Sequence, residues 1–290
     1  MRYLYFLFLF CISISTAHAR LNVVATTPMM HSFASQIYGN PMNIRTLSCA
    51  STYCKNTLSA TDANRLEHAQ LIVWLGTEKG VATWLAAHPK ANAFAVLTQT
   101  DDLDIQPSQI DPQQQNPYVW TSPKNAIAII KTLTQKLSAL DPKNADRYAK
   151  NLEQYTDRWQ FFDSYKLPTI DTDYPALVSL QEGMEYLFDY LGLSNTKTFP
   201  VDETRSEHMV ADKNLAGRIK QVNPVCVFVG PHMSSKSIAA LNLPKSIKIV
   251  SVNLEGNPKK PGPYLYRTVM RKLFLDVYNC LGLTLPRRAR

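Results

Sequence analysis

The sequence lacks the short motifs that usually mark catalytic sites. It has no Gly-x-Ser-x-Gly turn, no Walker loop, no His-Glu-x-x-His zinc motif and no Cys-x-x-Cys pair. Its serine, histidine and aspartate residues show no spacing that suggests a catalytic triad. These absences argue against an enzyme.

The sequence also lacks a concentrated basic segment, although it is basic as a whole. Lys and Arg number 31 against 23 Asp and Glu, which gives a formal net charge of +8. Apart from three arginines within 287–290, the basic residues are scattered, whereas a nucleic-acid reader gathers them with aromatic side chains on one element. We therefore expect no nucleic-acid partner, and a positive surface suited to an anionic neighbour such as a membrane face.

A long apolar run occurs at the N-terminus. Arg2 precedes the apolar stretch 3–14, and positions 17–19 read Ala-His-Ala, with small residues where a signal peptidase cleaves. We predict a signal peptide over 1–19, so that the mature protein is periplasmic and not an integral membrane protein; a retained N-terminal anchor is the alternative. Cys11 leaves with this leader, and the loss of Arg2 lowers the formal charge by one, to +7.

Cysteine is scarce in the mature chain, which keeps Cys49, Cys54, Cys226 and Cys280. An even number of cysteines in an exported protein favours disulfides, and this set of four allows three pairings. Pairing the nearest neighbours joins Cys49 to Cys54 and Cys226 to Cys280, and it keeps each bridge within one half of the chain. Free buried thiols are the alternative.

Strands and helices alternate in both halves of the mature chain. Short strand-like runs lie at 21–27, 43–47, 71–75 and 94–97, and again at 175–179, 225–230 and 248–252. Amphipathic helical patterns separate most of these runs. The alternation predicts an α/β fold with two lobes, each a mostly parallel sheet flanked by helices.

A long helical pattern separates the two halves. It begins at Asp141-Pro142, a cap followed by a proline, and it reaches about Tyr165. We predict an N-terminal lobe over 20–140, a linker helix over 141–168 and a C-terminal lobe over 169–290. The segment 101–117, which is rich in Asp, Gln and Pro and has no apolar period, predicts a surface loop.

Several short motifs occur in the order and spacing of a known family. They are Pro-Tyr-Val-Trp at 117–120, Ser-Pro-Lys-Asn-Ala at 122–126, Leu-Asp-Pro-Lys-Asn-Ala at 140–145 and Val-Phe-Val-Gly-Pro-His at 227–232. From Leu21 to Leu283 the chain resembles the periplasmic zinc and manganese receptors of ABC importers. The resemblance implies a metal ion between two lobes and its delivery to a membrane permease, with Zn or Mn as the transported ligand.

The resemblance also implies which positions would hold the metal. The family uses three histidines and one acidic residue, a set that suits these divalent ions. The matching positions here are Cys54, Tyr118, Gln181 and Asn253, with Leu180 or Glu182 in third place if the register shifts. A phenol is rarely ionised near neutral pH, and the two amides are neutral and weak oxygen donors. A Cys49–Cys54 disulfide would consume the remaining thiol, so no metal ligand is assigned.

Other side chains near these positions are candidate replacements. Glu182, Glu255 and His232 are the substitutes that we consider first. The remaining histidines of the mature chain are weaker candidates, because a lone histidine is more often a satisfied structural residue than a ligand: His31, His208, His68 and His88.

Two further expectations follow from the resemblance. Some Gram-negative members join the equivalents of Cys226 and Cys280 in a disulfide, which implies a structural bridge here. The replaced ligands imply the solute-binding component of a zinc/manganese-type importer with a degenerate or altered metal site. A non-transporting accessory or protein-interaction homologue that no longer binds metal is the alternative.

Overall fold

The computed structural model describes residues 21–40, 43–47, 57–168, 173–201 and 214–286. Within these ranges the strands form two parallel sheets of four strands each. The predicted signal peptide, Cys49, Cys54 and His208 lie outside the described residues.

The first sheet has the strand order β2-β1-β3-β4. Its strands are β1 (Val23–Ala25), β2 (Ile44–Thr46), β3 (Leu71–Trp74) and β4 (Ala93–Ala95). In the centre of the sheet Val23 pairs with Ile44 on one side and with Leu71 on the other. All three residues of β1 are buried, as expected for a parallel strand with helices on both faces.

The second sheet repeats this arrangement in the order β6-β5-β7-β8. Its strands are β5 (Leu177–Ser179), β6 (Thr196–Thr198), β7 (Cys226–Val229) and β8 (Lys248–Ser251). The two sheets with their flanking helices are the two lobes of an α/β fold, which confirms the predicted fold class.

Some of the helices begin at capping residues that the sequence provides. In the first lobe they are α1 (Pro28–Tyr38), α2 (Ala60–Glu67), α3 (Lys79–Ala87), α4 (Val96–Gln99) and α5 (Pro123–Leu140). In the second lobe they are α7 (Met184–Leu191), α8 (Leu215–Val222), α9 (Ser235–Ala240) and α10 (Leu265–Cys280). Thr27 and Ser122 cap α1 and α5 through their hydroxyls, and a proline follows each cap.

The helical segment between the lobes is α6 (Ala145–Gln160). Short 3₁₀ segments flank it, Pro142–Asn144 before it and Phe161–Tyr165 after it. The long helix predicted from Asp141 to about Tyr165 is therefore helical over that length, with 3₁₀ geometry at both ends. The boundaries of the two lobes stay a prediction.

Two local details differ from the sequence-based expectation. The run 94–97 turns from strand to helix after Ala95, so that Val96 and Leu97 belong to α4. Strand β6 was not predicted, because its Thr-Lys-Thr sequence has no apolar residue and lies partly exposed at a sheet edge.

An aromatic cluster joins the lobes, and we call it the aromatic junction: Phe33 of α1, Trp159 of α6, Phe162, and Tyr266 and Phe274 of α10. The ring centroids of Trp159 lie 5.7 Å from Phe33 and 4.3 Å from Tyr266. The amide of Tyr266 also donates to the hydroxyl of Ser32 on α1, at 3.1 Å. One apolar core thus continues from the first lobe into the second.

A disulfide joins Cys226 of β7 to Cys280 at the end of α10, with 5.9 Å between their Cα atoms. This confirms the predicted pairing of these two cysteines. In the described part of the chain, no helix combines the length and apolar character that a membrane crossing needs.

Candidate functional site

The candidate site lies where the loop after β5 meets the turn before α5. Ser179, the last residue of β5, donates its hydroxyl to the carbonyl of Gln181 at 2.8 Å and accepts the amide of Gln181 at 3.0 Å. This turn directs the chain from the carboxyl end of a central strand into α7. Ligand sites of open parallel sheets lie at such strand ends.

Tyr118 and Gln181, two of the predicted positions, are buried in this region, with 1% and 3% of their surface exposed. The side-chain amide of Gln181 donates to the carbonyl of Glu182 at 3.2 Å. The ring of Tyr118 packs edge-on against Trp120, with centroids 5.4 Å apart. Neither side chain carries a formal charge at neutral pH.

Gly183 permits the close approach of the two lobes at this point. Its φ of +100° is rarely adopted by other residues, and a Cβ there would lie 2.4 Å from the Cβ of Tyr118. Thr121 donates to the carbonyl of Gly183 at 2.6 Å, and the Trp120 indole donates to the carbonyl of Leu254 at 2.9 Å. The turn that carries Tyr118 is therefore bonded directly to two loops of the second lobe.

Asn253, the predicted fourth position, uses its side chain within its own loop. Its Oδ1 accepts the amides of Glu255 and Gly256 at 3.1 and 2.9 Å, and its Nδ2 donates to the carbonyl of Gly256 at 3.1 Å. These bonds are those of a side chain that stabilises a turn. Cys54, the predicted first position, lies outside the described residues.

Two buried glutamates border Gly183. Glu182 accepts hydrogen bonds from the Ser108 hydroxyl at 2.8 Å and from the Gln109 amide at 2.7 Å. Burial raises the pKa of the Glu182 carboxyl, and these hydrogen bonds oppose the rise. Glu182 was predicted as a substitute ligand; both of these hydrogen bonds come from the segment before α5.

Glu185 was not singled out from the sequence. One of its oxygens accepts the amide of Gly183 at 2.9 Å, and the other accepts the side-chain amide of Asn116. Burial raises the pKa of Glu185 from 4.5 to about 7, and the negative charge of Glu182 adds to the rise. The available signal was its place in the run Met-Glu-Tyr-Leu-Phe at 184–188, where an acidic residue interrupts an apolar helix start.

The segment 101–117 is only partly the surface loop that its composition predicts. Gln113, Gln114 and Gln115 are exposed, but Ser108 and Asn116 are buried against the second lobe. The predicted surface loop is therefore exposed at its glutamines but buried at Ser108 and Asn116, because buried carboxylates of the other lobe provide partners for these two side chains.

The other candidate ligands belong to other segments of the described chain. His232 is exposed in the turn after β7, and Glu255 is half-buried in the Asn253 loop. His31 is buried in α1 with its Nδ1 at 3.1 Å from the Ser35 hydroxyl, and burial lowers its pKa. His68 and His88 are exposed, and each ring contacts a carbonyl of its own helix. The described residues hold no group of three or more His, Cys, Asp or Glu side chains that could bind a metal ion.

Comparison with known proteins identifies the family. The profile of the family described as "Zinc-uptake complex component A periplasmic" matches residues 23–280. The chain belongs to this family. Its members are substrate-binding components of ABC importers and not enzymes, in agreement with the missing catalytic motifs.

Individual relatives are distant but cover most of the chain. The manganese ABC transporter substrate-binding lipoprotein PsaA of Streptococcus pneumoniae is 22% identical over 81% of this chain and 80% of its own length. The iron ABC transporter substrate-binding lipoprotein MtsA of Streptococcus pyogenes is 22% identical over 93% of both chains. The structure of FpvC from Pseudomonas aeruginosa in complex with Mn²⁺ matches with a TM-score of 0.73 at 16% identity, over 91% of this chain and 99% of that one, and so supports the fold alone.

Proposed function

We propose that this protein is the periplasmic solute-binding component of a zinc/manganese-type ABC importer, with an altered metal site between its lobes. The family and the names of its relatives, which specify manganese and iron, support a metal-type importer. In this proposal the signal peptide 1–19 is removed, and α6 connects a lobe over 20–140 with one over 169–290. The partner is a membrane permease with its ATPase.

The side chains at the buried positions are the observation that supports an altered metal site. Zinc favours imidazole, thiolate and carboxylate ligands, and manganese favours carboxylate oxygens and imidazoles. Tyr118 and Gln181 offer a phenol and an amide instead, and both are packed against protein atoms. Asn253 brings no charge, and its amide atoms are engaged by its own turn. This set is a poor one for tight binding of either ion.

Glu182 and Glu185 are the carboxylates nearest in sequence to Gln181, and both accept hydrogen bonds from the first lobe. A metal ion would have to displace those donors before it could bind here. This direct bonding between the lobes also favours a second candidate function, a non-transporting accessory or protein-interaction homologue.

Isothermal titration calorimetry of the mature protein with Zn²⁺ and with Mn²⁺ tests the altered site. We expect no submicromolar binding under oxidising conditions. Binding that appears only after reduction would assign the site to a cysteine, with Cys54 as the candidate. Submicromolar binding that is abolished by Tyr118→Phe and Gln181→Ala would overturn the proposal. Tyr264→Phe, at an exposed tyrosine of the second lobe, is the matched control.

Measurement of metal and solute uptake by a strain that lacks this gene separates the two functions. If the protein serves an importer, the strain accumulates less of one metal or other solute, and the cloned permease restores uptake only together with this protein. If it is an accessory protein, uptake does not change on its deletion.

A further inference from the structure

The segment 104–116 forms a small hairpin, here called the clasp. An isolated antiparallel bridge pairs Pro107 with Gln115. The amide of Asn116 donates to the carbonyl of Gln106 at 2.9 Å, and the amide of Ser108 donates to the carbonyl of Gln114 at 2.9 Å. The clasp therefore has its own backbone order and does not take its shape only from the surface beneath it.

Its base is fixed to the first lobe by Asn125 of α5, which is fully buried. The Asn125 side chain accepts the amide of Asp104 at 2.9 Å and donates to the carbonyl of the same residue at 2.7 Å. Asn125 thereby satisfies both the backbone N–H and the backbone C=O of Asp104. The clasp consequently moves with the first lobe.

Its other contacts go to the second lobe. Glu182 accepts hydrogen bonds from the Ser108 hydroxyl and the Gln109 backbone amide, and Glu185 accepts one from the side-chain amide of Asn116. The hydroxyl of Tyr186 accepts the amide of Gln106 at 2.9 Å and donates to the carbonyl of Asn116 at 3.1 Å.

These contacts share a chemical character. Most of these bonds run from neutral N–H and O–H donors of the clasp to carboxylates or a phenol of the second lobe, and the Tyr186 hydroxyl donates in the opposite direction. A bond to an ionised carboxylate is stronger than one between neutral groups. Each of these contacts is a direct hydrogen bond between protein groups. Water can replace every one of these partners when the lobes separate, unlike the rings of the aromatic junction.

We propose that the clasp holds the two lobes together without a bound ligand, and that its detachment from α7 is the step that exposes the buried site around Tyr118 and Gln181. The inference goes beyond the proposed function, because it concerns access to the site and not the cargo. The clasp contains none of the four positions that match the family's metal ligands. Access to the site is therefore controlled by a segment that would not itself bind the metal.

Hydrogen exchange of the Gln106 and Gln109 amides in the mature protein tests this proposal. In buffer with a chelator we expect both amides to be protected, and to the same extent after Zn²⁺ or Mn²⁺ is added. The mild double variant Ser108→Ala, Tyr186→Phe should exchange about tenfold faster or more at these amides. The double variant Glu182→Ala, Glu185→Ala should raise the exchange rate of these amides still more. It should also increase the radius of gyration in small-angle X-ray scattering.

Glu153→Ala is the matched control, since it removes a glutamate from the exposed face of α6 and should change neither readout. The proposal is overturned if the two amides exchange in chelator at the rate of an unstructured peptide and become protected only with metal. It is also overturned if the mild variant folds normally and leaves their exchange unchanged. The exchange of these two amides in chelator tests the clasp whether or not the protein binds metal, so failure of this proposal and failure of the proposed function are distinguishable.

Discussion

At the aromatic junction, Phe33, Trp159 and Tyr266 bring their ring centroids within 4.3 to 5.7 Å of one another. At the clasp, Glu182 and Glu185 accept hydrogen bonds from polar groups of the first lobe. Both regions join the same two lobes, but one does so with apolar surface and the other with charge-assisted hydrogen bonds.

The two regions differ in whether water can replace the interactions that are lost when the lobes separate. Separation of the rings exposes apolar surface, and no interaction with water compensates for that loss. Separation of the clasp exchanges each protein hydrogen bond for one to water, so the net cost is about 0.5–1.5 kcal/mol for a neutral pair and about 1.5–3 kcal/mol where an ionised carboxylate accepts. The aromatic junction should therefore stay closed while the clasp opens, which makes it the pivot of any movement between the lobes.

Trp159→Ala should have the largest effect, because it removes the ring that contacts both lobes. Trp159 is 2% exposed. We expect a loss of about 3–5 kcal/mol in the free energy of unfolding, measured by urea denaturation. A loss below about 1 kcal/mol, with an unchanged denaturant dependence, would contradict the claim that the aromatic junction is the contact that stays closed between the lobes.

Gly183→Ala tests how tightly the lobes meet beside the clasp. The added Cβ would lie 2.4 Å from Tyr118, at a φ of +100°. We expect a cost of about 2–4 kcal/mol in the free energy of unfolding, from backbone strain and overpacking together. Tyr118→Gly in the same chain, which removes the Cβ that the new methyl group would meet, should recover part of the overpacking.

Gly217→Ala is the matched control for this glycine. A Cβ at Gly217 meets no atom within 4 Å, and the residue lies inside α8. The substitution should be neutral or stabilise the protein by up to about 1 kcal/mol. Equal effects at the two glycines would show that the contact between Tyr118 and Gly183 is loose.

Glu185→Gln should change the pH dependence of stability. Because burial raises the pKa of Glu185 from 4.5 to about 7, the folded state holds its proton more tightly than the unfolded state. The resulting stabilisation is complete below about 4.5 and is lost as the pH rises to about 7. Its size is up to about 3 kcal/mol.

Urea denaturation of the wild type and of Glu185→Gln, between pH 4 and 8, measures this difference. The stability of the variant relative to the wild type should rise with pH across that window. His31, whose pKa burial lowers, acts in the opposite direction in both proteins and cancels in the difference. Glu153→Gln, at an exposed glutamate of α6, is the control variant. A constant difference at all pH values would mean that folding does not change the pKa of Glu185, which would contradict the prediction.

Much of the fold could be predicted because its signals are local. The caps at Thr27 and Ser122 and the apolar runs of the central strands lie within a few residues of the structure they specify. Strand β6 could not be predicted, since Thr196–Thr198 gains its structure only by pairing with β5.

The candidate site was predicted less completely, for a physical reason. Tyr118 and Gln181 were found through the resemblance to the family, and the structure brings both into the buried region around Gly183. Glu182 was also singled out, but its pairing with the clasp was missed because Ser108 and Glu182 lie 74 residues apart in the chain. No local pattern shows that a Gln- and Pro-rich loop will bond to buried carboxylates of the other lobe.

Native-state hydrogen exchange at two amides tests the central comparison most directly. The Tyr266 amide bonds to Ser32 at the aromatic junction, and the Gln109 amide bonds to Glu182 at the clasp. We predict that Tyr266 exchanges only through global unfolding, with a steep dependence on denaturant, and that Gln109 exchanges through a smaller opening of lower free energy with little such dependence. Identical opening free energies and denaturant slopes at both amides would contradict the account.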